Sequence, residues 1–351
     1  MKKSLIALAV AAASTSAFAD VAMSGKIGAS VASVSGTSVT ENQKTTGYNN
    51  ENSVITLSGK EDLGGGMAIS YSLTNGLDMG SSATNFAAQN QIIKLDTSVG
   101  SVLAGKFDNP MKVMARGYDL FADQVAGDAR HITYSGLADA RANNVLAYIS
   151  PSFNGLQVVV AGSNDPAQAA PGTGGQTETD VDGDNDLTMW KLTYSNGPLS
   201  AGVAGHTRDT TGDNEKIVRG VAGYKMGDTR LVALYQTNKN IGGTAAADGK
   251  AWGLGVAHAM GPITLKAQYY KNNDDRADMD STLTAVGVDY SLSKRTTVQV
   301  AYGKVKNEAS VSRGTNNSTD TYSAVVAGAD ALTSVNGADP SRVSVGLKHT
   351  F

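Results

Sequence analysis

From residue 21 onward the chain repeats one pattern, an apolar side chain at every second position with a polar or small one between. Val21, Met23, Ile27, Ala29 and Val31 alternate with Ala22, Ser24, Lys26, Gly28 and Ser30. The period returns in Ile55, Leu57 and Gly59 against Thr56, Ser58 and Lys60, and in Ile69, Tyr71 and Leu73 against Ser70, Ser72 and Thr74. It is present again in Ile263, Leu265, Ala267 and Tyr269 against Thr264, Lys266 and Gln268. A period of two sends successive side chains to opposite faces of a strand, so each segment has one apolar and one polar face. No helical stretch of comparable length competes, and nothing after the first residues is apolar for long enough to form a transmembrane helix. A chain of this kind that enters a bilayer must do so as a closed barrel, which alone leaves no strand edge unpaired in lipid.

The connections decide between a soluble sandwich and such a barrel. Seven are brief, at residues 64–66, 98–100, 151–155, 196–198, 226–228, 260–262 and 293–295. Eight are longer and polar, at 36–52, 76–90, 108–141, 162–186, 208–215, 239–250, 271–280 and 306–341. Fifteen connections join sixteen strands. The two ends of a sandwich are chemically alike and give no reason for this alternation, whereas an outer-membrane barrel has short periplasmic turns and long outer loops. Its polar faces must line the inside, and a barrel of about sixteen strands is too wide for side chains to fill. The reading is an all-β transmembrane antiparallel barrel around a water-filled hole.

Residues 1–19 carry Lys2 and Lys3, an apolar run from Leu5 to Ala13, and the ending Ala17-Phe18-Ala19. These are the three parts of a secretory signal peptide, with cleavage expected after Ala19 and a single barrel domain over 20–351. Removal takes away two lysines and leaves 27 basic against 32 acidic side chains, a net charge of −5. The chain has no Cys, so disulfide scaffolds, thiolate zinc sites and cysteine nucleophiles are excluded. The acidic balance gives no general reason to expect nucleic acid as a partner. Its 40 glycines with only 7 prolines suit many tight turns and close-packed strands.

An ordered set of segments carries a family resemblance along the whole chain. Gly59-Lys60-Glu61-Asp62-Leu63-Gly64, Gly105-Lys106, Gly117-Tyr118-Asp119-Leu120-Phe121 and Arg141-Ala142-Asn143-Asn144 come first. Tyr148 to Gly155, Tyr290 to Thr296 and the ending Val345-Gly346-Leu347-Lys348-His349-Thr350-Phe351 follow. With these the chain resembles the Gram-negative general porins, the trimeric sixteen-stranded proteins of the outer membrane. The resemblance implies passive diffusion of ions and small hydrophilic solutes, with no enzymatic step and no cofactor. It also implies a homotrimer among outer-membrane lipid and lipopolysaccharide, delivered by barrel-assembly machinery that reads a terminal strand ending in Phe351. A substrate-selective channel, or a closed adhesin-like barrel, are the alternatives.

In porins of this type the third outer loop folds into the barrel, carries a short helix and sets acidic groups against basic ones on the wall. By resemblance, Asp119, Asp123 and Asp128 are the constriction acids, and Lys26, Lys106 and Arg141 the wall bases. Arg116 is either a further partner or a surface cation on the loop helix. At the second strand the chain has Ser53-Val54 and then Ser58 where relatives often have basic residues. Together with the net −5, that departure leads to an expected cation preference.

Other constellations are weak. Glu178, Asp180, Asp182, Asp184 and Asp186 open like a calcium loop, but the sixth and twelfth positions are Asn185 and Lys191 instead of Gly and Glu. Asp274, Asp275, Asp278 and Asp280 form a second acidic stretch. His131, His206, His258 and His349 have no metal-ligand spacing, and neither a nucleophile elbow nor a phosphate loop is present. Asn316 and Asn317 open glycosylation-like triplets in an Asn- and Ser-rich stretch where chance supplies them. Trp190, Tyr194, Trp252, Tyr269, Tyr290 and Tyr302 read as a lipid-interface girdle.

Overall fold

A computed structural model describes residues 20–36, 44–77, 79, 86–133, 136–164, 186–210, 212–245, 247–313 and 336–351. The signal-peptide reading, most of the first acidic stretch and the Asn316 and Asn317 triplets lie outside these residues. The first strands are β1 (Asp20–Ser35), β2 (Lys44–Asn50), β3 (Val54–Gly64), β4 (Met67–Leu77), β5 (Phe86–Thr97) and β6 (Gly100–Asp108). After the third outer connection come β7 (Arg141–Ile149), β8 (Leu156–Ser163), β9 (Leu187–Asn196), β10 (Leu199–Arg208) and β11 (Glu215–Met226). Then follow β12 (Thr229–Lys239), β13 (Gly249–Met260), β14 (Ile263–Asp274), β15 (Ser281–Ser291), β16 (Thr296–Asn307) and β17 (Ser341–Thr350).

Every neighbour pair is antiparallel, and β1 closes the sheet on β17 with Lys26 opposite Thr350 and Ser35 opposite Ser341. One side of β1 faces two strands in succession, with Ala29 opposite Asn50 of β2 and Lys26 opposite Val54 of β3. β2 and β3 are therefore one stave, interrupted at residues 51–53, and the barrel has the expected sixteen staves. The break is held by β1: Glu51 N–H donates to Gly28 O at 2.8 Å, and Ser53 Oγ donates to the same carbonyl at 3.1 Å. All seven short joints fall between strands where the sequence placed them. The connection expected over 36–52 is shorter, because its second part forms β2. That strand, Lys-Thr-Thr-Gly-Tyr-Asn-Asn, is polar at nearly every position and carries no alternation to read.

The faces follow the sequence period. Val21, Met23, Leu146 and Leu254 are more than half exposed on the outer wall, while Arg219 and Gln236 are fully buried on the inner one. A closed sheet satisfies its backbone groups internally, so the apolar outer wall can sit in lipid with no stranded N–H or C=O. Trp252 and Tyr269 meet on that wall with ring centroids 5.6 Å apart. Trp190, Tyr290 and Tyr302 share the same outward, exposed setting. At the seam, Phe351 N–H donates to Gly25 O at 3.0 Å, and Gly25 N–H donates to Phe351 O at 3.0 Å. A Cβ at Gly25 would lie 2.5 Å from the Phe351 ring, so only glycine leaves room for the terminal side chain.

The apolar core lies inside the barrel, between the wall and the connection 109–140. This connection holds helices α1 (Pro110–Arg116) and α2 (Arg130–Thr133) and a 3-10 turn at Gly136–Asp139. Met111 and Met114 of α1 and Ile132 of α2 pack on Ile217, Leu234, Tyr270 and Leu283 of the inner wall. Phe121 and Ala126 sit on Ala285 and Ala301. Burying two methionines, an isoleucine and a phenylalanine stabilises the inward position by roughly 1.5–3 kcal/mol for each side chain.

Candidate functional site: the constriction

The loop is made to turn inward at its root. Asn109 Oδ1 accepts from Met111 N–H at 2.9 Å, which caps α1, and Pro110 occupies a first-turn position where its missing N–H is no loss. Asn109 Nδ2 also donates to Leu137 O at 3.1 Å, pinning the start of the loop to its end. Helix α1 buries its Met111, Met114 and Ala115 side and leaves Val113 and Gly117 exposed to the lumen.

Side chains of the inner wall, with Arg313 from the connection after β16, then hold the loop along its length. Arg219 of β11 donates to both carboxylate oxygens of Asp139, at 2.6 and 2.8 Å, and to Thr133 O at 3.1 Å. Gln268 of β14 donates to Asp119 at 2.9 Å and Gly127 O at 2.6 Å, while its own oxygen accepts from Leu120 N–H at 3.1 Å. Lys266 donates to Leu120 O at 3.1 Å, Arg342 to Val125 O at 3.2 Å, Arg313 to Ile132 O at 2.9 Å, and Arg230 to Gly117 O. Gly303 on β16 allows the loop backbone to approach, since a Cβ there would lie 2.8 Å from Gly127 N. None of these anchors was singled out from sequence. For Arg219 the available signal was a charged side chain between the inward apolar positions Ile217 and Val221; Lys266 and Gln268 lie on a polar face and carry no such signal.

The three candidate acids converge on Arg116. Its guanidinium lies 3.3 Å from Asp119, 2.6 Å from Asp123 and 2.8 Å from Asp128. Arg130 adds a second cation to Asp128 at 3.2 Å. Lys26 of β1 reaches Asp123 Oδ2 at 2.6 Å. Of the three acids, Asp123 is the most open, with its side chain 27% exposed against 5% for Asp119 and 4% for Asp128. Burial works to raise the pKa of Asp123, but Arg116 and then Lys26 outweigh it and hold the carboxyl well below the usual range. Asp128 is likewise held low against its burial, by Arg116 and then Arg130. Asp119 is pushed up, by burial first and by the Asp128 charge next. His131 is pushed down to about 3, by burial and then by Arg342.

The wall bases are placed differently from one another. Arg141 lies 3.2 Å from Asp108 and donates to Gln89 at 2.9 Å. Gln89 in turn donates to Asn52 at 3.3 Å, and Asn52 donates to Asp123 at 3.2 Å. The stave break serves this relay: Asn52 has φ +53°, a left-handed turn that asparagine tolerates better than most residues. Lys106 is partly exposed and forms no ion pair or hydrogen bond with the described residues.

Among the described residues no group of His, Asp and Glu is arranged to hold a metal ion. The second acidic stretch is occupied by protein donors, with Arg276 2.7 Å from Asp274 and Asn273 donating to Asp280 at 2.9 Å.

An antiparallel barrel that is apolar outside, polar inside and narrowed by an inward loop defines a membrane channel of the porin class. The chain belongs to the Gram-negative porin family, whose family model matches residues 5–310. It is 29% identical to outer membrane porin protein 32 of Delftia acidovorans over all of both chains. An anion-selective porin from Comamonas acidovorans has a TM-score of 0.75 at 23% identity, covering 95% of this chain and 100% of its own. OmpT of Vibrio cholerae in its trimer form has a TM-score of 0.66 at 15% identity, covering 94% of this chain and 99% of its own. The protein is an outer-membrane porin.

Proposed function

We infer that the mature chain, residues 20–351 after loss of a signal peptide, forms a trimeric, non-enzymatic channel for small hydrophilic solutes, with a preference for anions. The net charge and the second-strand departure led to the opposite expectation. Around the constriction six bases (Lys26, Lys106, Lys112, Arg116, Arg130 and Arg141) meet five acids (Glu51, Asp108, Asp119, Asp123 and Asp128). The observation that carries the reading is the pairing: Asp119, Asp123 and Asp128 each have a cation within 3.3 Å, while Lys106 has none of the acids in contact. Paired acids project little field into the lumen, and an unpaired ammonium projects its own. The Comamonas porin named as anion-selective and the Vibrio porin in trimer form support the preference and the assembly respectively.

In this reading Asp123 and Lys106 touch the passing solute, and Lys26, Arg141, Asp119 and Asp128 fix the shape of the opening. Lipopolysaccharide contacts the outer rim, and the strand ending at Phe351 is what the assembly machinery engages. Reconstitution of the mature chain in planar bilayers under a salt gradient tests the function. Three-step openings with a reversal potential of anion sign are expected. Cation-sign potentials would overturn the preference, and silence from a correctly folded barrel would overturn the channel.

A further inference from the structure

His206 is buried at the root of the constriction loop, and the loop's packing and charge clusters make no use of its ring. It points inward from β10 with 2% exposure, between Asn109 of the loop and Glu215 of β11. Its Nδ1 is 3.2 Å from Asn109 Nδ2, and its Nε2 is 2.9 Å from Glu215 Oε1. The orientation of the Asn109 amide is fixed independently of the histidine, because Oδ1 caps α1 through Met111 N–H and Nδ2 serves Leu137 O. The group facing Nδ1 is therefore a donor. Nδ1 must accept, and the ring's single proton must sit on Nε2, donated to Glu215. Glu215 accepts from Gly242 N–H at 2.7 Å with its other oxygen and has Arg208 3.8 Å away. The charged groups nearest along the same elements are Lys112 with Asp108 at 2.9 Å, Asp108 also facing Arg141, and Arg219 with Asp139 at 2.6 Å.

We propose that His206 is a proton-operated latch on the inward loop. A proton added at Nδ1 sets two N–H groups against each other across 3.2 Å in a dry site. Glu215 welcomes the imidazolium, so the strain is relieved on the other side, by rotation of the Asn109 amide. Rotation gives up the α1 cap, the Leu137 tie, or both, and these are the bonds that hold the two ends of the loop together. Acid on the outer side would then loosen the constriction from its root while the barrel wall stays intact. The Gly242 contact carries the same event to the outer connection between β12 and β13.

The test uses the refolded full barrel in a His131→Gln background, which removes the other imidazole packed on the loop and facing Arg116, Arg130, Arg342 and Asp128. Between about pH 7.5 and about pH 4.5 the background protein is expected to lose on the order of half its steady open current. His206→Gln, which cannot be charged, should abolish the loss. Nitrogen NMR of histidine-labelled protein gives a readout independent of the channel reading: the His206 ring should be in its Nε2–H form at neutral pH. An Nδ1–H form, or an acid response that survives His206→Gln, would overturn the latch.

Discussion

Lys26 Nζ lies 2.6 Å from Asp123 Oδ2, joining the first strand to the tip of a loop 97 residues further along the chain. Both side chains are largely shielded, so the pair is stronger than a surface ion pair. Lys26→Met should weaken docking of the loop tip by about 1.5–3 kcal/mol, the range for a charge-assisted hydrogen bond. Increased open-channel noise with an unchanged barrel melting profile is the expected result; quiet currents would show that Arg116 and Asn52 hold Asp123 without it.

Arg219 and Asp139 are both buried, and losing one strands the other's charge. Arg219→Met should destabilise loop docking by about 3–5 kcal/mol, and pairing it with Asp139→Leu should recover much of that loss. Protease accessibility of the loop, followed for the single and double variants, reads the difference. Equal cleavage of both would sink the explanation.

Lys106 differs from the other wall bases because its removal breaks no ion pair or hydrogen bond to the described residues. Lys106→Gln should leave stability within about 0.5 kcal/mol of wild type. It should nevertheless move the reversal potential toward cations. An Arg141→Gln protein is expected to lose stability as well, since Asp108 loses an ion-pair partner and Gln89 a donor.

Acid acts on the charge cluster in a defined window. Asp123 and Asp128 have folded pKa values below the ordinary 3.8, so their contribution to docking is present above that value and disappears as pH falls below it. Asp119 is shifted the other way, and protonating it first costs the docked loop nothing. Proteolysis of the loop in a His131→Gln, His206→Gln protein should therefore stay flat from neutral pH down to about 4 and rise only below it. A rise beginning near pH 6 would contradict the assignment.

Gly303 faces the loop backbone at Gly127, where an added Cβ would meet the peptide nitrogen at 2.8 Å. Gly303→Val should push the loop off the wall at a cost of about 1–3 kcal/mol. Conductance should change while strand content by circular dichroism does not; an unaltered conductance would mean that the loop can yield there without consequence.

The staves were legible because a membrane barrel imposes one rule, apolar outward and polar inward, on every strand, and residues such as Val21 and Met23 obey it. β2 was not, since Lys44–Asn50 has no apolar face to alternate. Asp119, Asp123 and Asp128 could be named from resemblance, and Arg116 was weighed beside them. That one guanidinium gathers all three depends on a turn after α1 and on Asp123 at φ +69°, neither of which has a period. The anchors were hidden for a related reason. Arg219 and Gln268 sit in strands whose polar face was already assigned to water, and the pattern cannot distinguish a side chain facing water from one facing a folded-in loop. Net charge counts carboxylates without regard to what neutralises them, so it leads to an expected cation preference where the pairing of the acids leads to the opposite proposal.

The bond from Arg342 to Val125 spans 217 positions, and β17 is also the strand that seals the barrel against β1. Several of the loop's supports, on β14, β16 and β17, are synthesised long after the loop itself. Until β17 has paired with its neighbours, the segment 109–140 lacks the Arg342 support, so its final docked shape waits for the last stave. The C-terminal strand thus serves the wall and the aperture together: it closes the sheet on β1 and supplies one of the loop's anchors.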